Sequence, residues 1–286
     1  MPVLIDKLVR EQGFRYTRSI DEVTITSRYN IHAHDVYEMV VFLKGDASFC
    51  VEGMVHPLSP FDIMISCPGE MHQIYHHSSA SYERAVITFT DSFFINNDCI
   101  DYRDVFTDRE MGWKNIISCS EVKASFIPQI ISRMEHYMTE DDGDNDVVIR
   151  CAMIEFLHNI NRLNPKKESG YVQNTAALKV SAYINQNLAG DLSLDRLSEE
   201  FFISKYYLCH IFKKYFGMTV GQYITRKRIL FAKKLYQSGQ SLSEVAALSG
   251  FSDYSAFYKA FTKETGLAPK EGLSRFGTVL DEKKRL

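Results

Sequence analysis

From Tyr16 to Phe94 the apolar residues come in short runs rich in β-branched and aromatic side chains: Val23 to Thr26, Tyr37 to Leu43, Ala47 to Val51, Asp62 to Ser66 and Ala85 to Thr90. Gly45, Gly53, Pro57, Pro60, Pro68 and Gly69 punctuate them, which predicts closely spaced antiparallel strands closing into a sandwich or barrel. The period then changes. Phe126, Ile127, Ile130, Met134, Tyr137 and Met138 recur at helical spacing, as do Ile154, Leu157 and Ile160. The acidic stretch Glu140 to Asp146 lies between the two sets, so they predict an αα-hairpin. Polar Asn164 to Asn174, with Pro165 and Gly170, reads as a linker. Everything after it has helical periodicity.

The helical part repeats itself. Leu194, Leu197, Ser204, Phe212, Lys214 and Gly217 have counterparts in Leu242, Val245, Ser252, Phe261, Lys263 and Gly266, offset by 48 and then 49 positions. Each copy predicts a short helix, a tight turn, a serine N-cap, a second amphipathic helix and a closing glycine, which is a helix-turn-helix. Ser241 to Glu244 forms a capping box pattern, Thr219 to Gln222 another, and Gly250 sits at the turn, where it would tolerate a positive φ. The run from Val220 to Ser238 predicts one long helix joining the copies. At 1.5 Å per residue it spans about 27 Å, close to the roughly 34 Å of a DNA turn. On the second helix of the first copy, Leu208, Ile211, Phe212 and Tyr215 face the core, leaving Tyr206, Cys209, His210 and Lys213 outward. In the second copy Phe257, Ala260 and Phe261 face inward and Ser255, Tyr258, Lys259 and Thr262 outward. Packing of two helical hairpins on each other is the competing explanation of this periodicity.

Charge supports the nucleic-acid reading. The 286-residue chain carries a net charge of only −3, but residues 1–174 hold 16 Lys and Arg against 26 Asp and Glu, and residues 175–286 hold 17 against 10. The first part is therefore at −10 and the second at +7, so the second attracts phosphate. At 45% hydrophobic and 24% charged the composition is that of a soluble globular protein. No secretory signal or membrane-length apolar run is present, which predicts a cytoplasmic protein without a membrane role. Cys50, Cys67, Cys99, Cys119, Cys151 and Cys209 lie far apart with no C-x-x-C pair, so reduced thiols are expected.

The stretch Leu192 to Lys270, and most specifically GFSDYSAFYKAFTKETGLAP within it, resembles the DNA-binding domain of AraC-type transcription regulators. The resemblance implies base contacts from Tyr206, Cys209, His210, Ser255 and Lys259, and phosphate contacts from Ser204, Lys213, Lys214, Ser252 and Lys263. Gly272 and Leu273 stand where that family usually has an aromatic and an arginine, so a different ending of the last helix is expected. In the other half His32, His34, Glu38 and Gly45, followed by Pro68, Gly69 and His72, are similar to the cupin pattern H-x-H-x3-E-x6-G and P-G-x-x-H. Thr26 and Phe61 replace its usual glycines and His76 its usual Asn. Even spacing on one uninterrupted strand would put His32, His34 and Glu38 on one side.

The expected organisation is multidomain α+β: a cupin-like β-barrel effector domain over 1–120, a helical dimerisation hairpin over 121–163, a linker over 164–174, and an all-α domain with two helix-turn-helix units over 175–286. Sensor domains of the resembled family often keep a His and a Tyr-Glu pair, here Tyr37 and Glu38, while binding an effector without metal. His32, His34, Tyr37, Glu38, His72, Tyr75 and Arg84 are accordingly the expected effector contacts, suited to a sugar-like molecule. No cofactor and no catalysis are expected. The alternative is a divalent metal on His32, His34, Glu38 and His72, in a cupin enzyme tethered to DNA. Expected partners are double-stranded DNA, a small-molecule effector, a second copy of the chain and, for an activator, RNA polymerase.

Overall fold

The computed structural model describes residues 3–9, 13–22, 31–140, 145–163 and 176–275. The expected strand at Val23 to Thr26, Thr26 itself and the expected linker fall outside these residues. The chain divides into two compact units at Gly170/Tyr171.

The first unit is built on two antiparallel sheets. One has six strands in the order β1 (Val3–Val9), β2 (Phe14–Asp21), β8 (Tyr82–Phe89), β3 (Tyr37–Lys44), β6 (Ile63–Ser66) and β9 (Ile116–Ile117). The other has three, β5 (Met54–Pro57), β4 (Ala47–Val51) and β7 (His72–His76). Alternation along β3 separates two cores. Val40 and Phe42 point between the sheets with Phe49, Val51, Met64 and Tyr82. Tyr37, Met39 and Val41 point the other way, into a larger core shared with the helices. Register fixes this choice, because Glu38, Val40 and Phe42 pair with Thr88, Val86 and Arg84 of β8, and a one-residue slip would exchange the two faces.

The helical hairpin consists of α4 (Ile127–Thr139) and α5 (Asn145–Leu163), preceded by the short helices α1 (Asp91–Asn96), α2 (Asp104–Thr107) and α3 (Cys119–Lys123). Its apolar stripe, expected to cover a second copy of the chain, instead lies in this chain's own core. Ile127, Ile130, Met134, Ile149, Met153, Phe156, Leu157 and Ile160 are all buried there with Phe14, Ile87 and Phe89 of the sheet. Each such side chain contributes about 1.5–3 kcal/mol relative to exposure, so the sheet is the stripe's natural cover. The outer face of α4 that remains is polar, with Gln129, Ser132, Arg133 and His136.

The second unit is helical: α6 (Ala176–Gln186), α7 (Leu194–Phe201), α8 (Lys205–Phe216), α9 (Val220–Gln237), α10 (Leu242–Leu248), α11 (Tyr254–Thr265) and α12 (Pro269–Arg275). Local chemistry sets most of the ends. Ser204 caps α8 by accepting from the Tyr207 amide, and Thr219/Gln222 and Ser241/Glu244 close full capping boxes. Gly217 and Gly266 end α8 and α11 in the left-handed conformation. One cap differs from expectation: α11 is capped by Asp253, which accepts from the Ala256 amide, while the Ser252 hydroxyl donates to the Asp253 carboxylate. A carboxylate accepts a helix-end amide at least as well as a hydroxyl and adds a favourable charge at the N-terminus. Among the described residues no helix is long and apolar enough to cross a membrane.

Candidate functional site

In the first unit His32, His34, Glu38 and His72 come together, although not along one strand. β3 begins only at Tyr37. His32 lies ahead of it in an isolated bridge to His72, the two exchanging backbone hydrogen bonds of 3.0 and 2.8 Å. The His34 carbonyl accepts from the Gly69 amide at 2.8 Å. The His32 and His34 rings therefore stand beside His72, with centroids 4.5 and 5.0 Å from it. One ring nitrogen from each of the three histidines lies within 4.8 Å of the others.

The tautomers follow from the backbone. His34 Nδ1 donates to Val36 O at 3.1 Å and His72 Nδ1 donates to Glu70 O at 2.9 Å. In the neutral rings both Nε2 atoms then carry lone pairs. Both face Glu38 Oε1, at 3.3 and 3.4 Å, and among the described residues neither makes a well-aligned hydrogen bond. Two ring nitrogens turned on a carboxylate call for a positive charge between them, which either a proton or a bound cation supplies. Burial would raise the Glu38 carboxyl, but the facing His34 and His72 imidazoles outweigh it and hold the group well below the usual carboxylate range. Burial likewise opposes charge on His34, and the Glu38 carboxylate outweighs it, raising that imidazole.

A buried ion pair fixes the turn before His72. Glu70, fully buried, accepts from both Arg109 Nη atoms at 2.6 and 2.8 Å and from the amides of Cys67 and Gly112. The Asn115 side chain donates a further bond. Spacing gives no hint of this clamp, since Arg109, Gly112 and Asn115 lie 39, 42 and 45 positions from Glu70.

Three of the expected effector contacts lie elsewhere. Tyr37 is on the opposite face of β3 from Glu38, where its hydroxyl donates to Asp91 at 3.0 Å and its ring packs on Phe94 and Phe106. Tyr75 is an odd number of residues from His72, so it points out of the three-stranded sheet, where its hydroxyl accepts from Gln73. Arg84 shares the inner face with Glu38 but stands opposite Phe42, about 13 Å along the strand. There it is buried in an ion pair with Asp21 at 2.8 Å, its guanidinium over the Tyr82 ring.

In the second unit the expected DNA contacts are all at the surface. Tyr206, Cys209 and His210 of α8 are exposed, as are Ser255 and Lys259 of α11, while Leu208, Ile211, Phe212, Phe257 and Phe261 are buried behind them. Ser204 and Ser252 are exposed ahead of the two helices; Lys213, Lys214 and Lys263 are exposed in their last turns. Tyr215, expected in the core, is half-buried, and Phe216 takes the buried place. The half-exposed Tyr254 was not singled out as a contact, although the offset of 48 pairs it with Tyr206.

Comparison with known proteins matches residues 20–97 to the AraC-like ligand binding domain and residues 197–275 to a helix-turn-helix domain, more than half of the chain between them. The chain belongs to the AraC-type transcription regulators. Its relatives in this family include the HTH-type transcriptional activator RhaR of Cronobacter sakazakii, 22% identical over 96% of this chain and 99% of the relative. The probable transcriptional regulator LumQ of Photobacterium leiognathi is 38% identical over 32% of this chain and 37% of the relative. Among solved structures, ToxT from Vibrio cholerae is similar at 16% identity, over 92% of this chain and 98% of that one, with a TM-score of 0.39. As an AraC-type regulator, the chain pairs an N-terminal ligand-binding domain with a C-terminal DNA-binding helix-turn-helix domain.

Proposed function

We propose that this regulator binds specific DNA as a homodimer through α8 and α11, and that the His32, His34, Glu38 and His72 cluster is where its effector acts. The effector whose chemistry fits the cluster best is a divalent cation such as Zn, Mn, Fe or Ni. The observation carrying this reading is the convergence of three imidazoles, a ring nitrogen of each within 4.8 Å of the others, with the buried Nε2 atoms of His34 and His72 turned on Glu38 by Nδ1 bonds to backbone carbonyls and without an aligned hydrogen bond among the described residues. That is how proteins orient ligating histidines. A bound cation would supply the positive charge the facing lone pairs lack. A carbohydrate loses the aromatic platform expected of Tyr37 and Tyr75, since neither ring reaches the cluster.

The chain's own residues would do the rest. His32 and His34 belong to the segment before β3, Glu38 to β3, and His72 to β7. Occupancy would thus tie three segments together and favour one arrangement of the domain over another, which is what an effector requires. Dimerisation would use the polar outer face of α4, and the relatives' role as regulators supports a binding rather than a catalytic function.

Metal content of the purified full chain, together with titration of the metal-stripped protein by Zn2+, Mn2+ and Ni2+, tests the ligand. One cation per chain is expected, lost in His32→Ala and His72→Ala with the protein still folded. A wild-type chain that binds none of the three above background would end the metal reading.

A further inference from the structure

The two reading helices differ in the chemistry they present. α8, KYYLCHIFKKYF, contains no Arg, Asn, Gln, Asp or Glu. Bases in the major groove are told apart by bidentate hydrogen bonds, chiefly from Arg, Lys, Asn and Gln, or by apolar contact with the thymine methyl. Of the three lysines on α8, Lys205 is paired with Asp195, and Lys213 and Lys214 sit in the last turn. The outward positions of its first two turns are left to Tyr206, Tyr207, Cys209 and His210.

Tyr206 is 83% exposed, and its ring lies parallel to that of His210, the planes 13° apart and the centroids separated by 6.4 Å. The pair presents an aromatic surface, and both of its rings are exposed. On α11 the corresponding positions hold Tyr254 and Tyr258, 41% and 42% exposed, but their rings are tilted 54° to each other, and the outward groups between and beside them include Ser255 and Lys259, which hydrogen-bond.

We propose that the first helix-turn-helix recognises thymine C5-methyl edges with Tyr206 backed by His210 and flanked by Cys209, whereas the second reads by hydrogen bonds from Ser255 and Lys259. This rests on the DNA-binding reading and specifies its first half-site: one or more thymines whose methyl groups meet the Tyr206 ring. Tyr206 is then a specificity-determining residue, and its exposure means that Tyr206→Ala folds normally.

Deoxyuridine keeps every hydrogen-bonding group of thymidine and lacks only the methyl. Duplexes recovered by the full chain from a random 40-base-pair pool are resynthesised with each thymidine replaced in turn by deoxyuridine, and affinity is measured by fluorescence anisotropy. Replacement at one or two positions of the segment met by α8, in each copy of it that the dimer covers, is expected to weaken binding about fourfold each, the worth of a buried methyl, and to have no effect in the segment met by α11. Tyr206→Ala should weaken binding to thymidine duplexes and erase the thymidine/deoxyuridine difference; Lys259→Ala should lower affinity and preserve it. Equal affinity for every deoxyuridine duplex, or a difference that survives in Tyr206→Ala, overturns the proposal and leaves DNA binding standing. Recovery of no duplex above non-specific affinity would overturn the DNA-binding reading as well.

Discussion

Arg228 of α9 donates Nε to the carbonyl of Leu188 at 2.9 Å, and its Nη2 donates to the carbonyl of Gly190 at 2.7 Å. Gly250, the turn glycine of the second helix-turn-helix, abuts the same Leu188 carbonyl: a Cβ there would lie 2.2 Å from it and 2.8 Å from Arg228 Nε. The end of α6, the joining helix and the second turn therefore meet at one point. This fixes the two DNA-binding units relative to each other more firmly than a single rod would.

Gly250→Ala should therefore be severe. It adds a methyl where backbone blocks it and asks an L-residue to hold φ +85°. A loss of about 2–4 kcal/mol is expected, read as a lower denaturant midpoint of the helical unit. An unchanged midpoint would mean that the contact is not tight.

The first copy of the turn places Phe202 where the second places Gly250. Phe202 holds φ +52° and is 95% exposed, so it endures left-handed geometry without packing in return. Phe202→Gly should stabilise the domain by about 1 kcal/mol, visible as a raised midpoint in guanidinium. A drop would show that the ring has a folding role.

Glu70 and Arg109 form a pair with almost no exposure on either side chain. Removing one partner strands the other charge, so Arg109→Leu should cost about 3–5 kcal/mol, and Glu70→Gln with Arg109→Leu less than the sum of the singles. Burial alone would raise the Glu70 carboxyl, but Arg109 and the amide donors bring it down to about 2. Its folded pKa is below the unfolded value, so its contribution is complete above about pH 4.5 and vanishes as pH falls toward 2. Acid unfolding monitored from pH 5 to 2 should show this in the wild type and lack it in Glu70→Gln.

Gly272 lies against the ring of Phe261, with a built Cβ only 2.5 Å from Cε1. This is the physical content of the departure seen after Pro269: α12 closes directly on the second reading helix, leaving no room for a side chain. Gly272→Ala should lower stability and weaken DNA binding together, whereas altered binding at unchanged stability would point to a direct DNA contact instead.

The helical unit was legible because its signals are local. Capping pairs such as Ser241 and Glu244, the positive-φ glycines 217, 250 and 266, and the offset of 48 all act within a few residues of where they are written. Asp253 in place of Ser252 shows the limit: two adjacent cap-formers cannot be ranked without the backbone. The β unit was harder. The charged edge strand β1, carrying Asp6 and Lys7, shows no clean alternation, because only its pairing with β2 makes it a strand. His32, His34, Glu38 and His72 do lie together, but not along the single strand expected to hold the first three. A bridge and a turn supply the proximity, and both are long-range. Strand period alone would have put Tyr37 opposite Glu38, and Tyr75 opposite His72; Arg84 needed the register as well.

Strand β3 serves as a party wall. Glu38 looks into one chamber, toward the His34 and His72 imidazoles, and its neighbour Tyr37 into the other, holding Asp91 at the foot of α1. One peptide plane joins the two Cα atoms, so the residue that meets the imidazoles and the residue that meets α1 are adjacent in one strand, with no loop between them. An occupant of the cluster would therefore sit one residue away, along the chain, from the layer of helices behind the sheet.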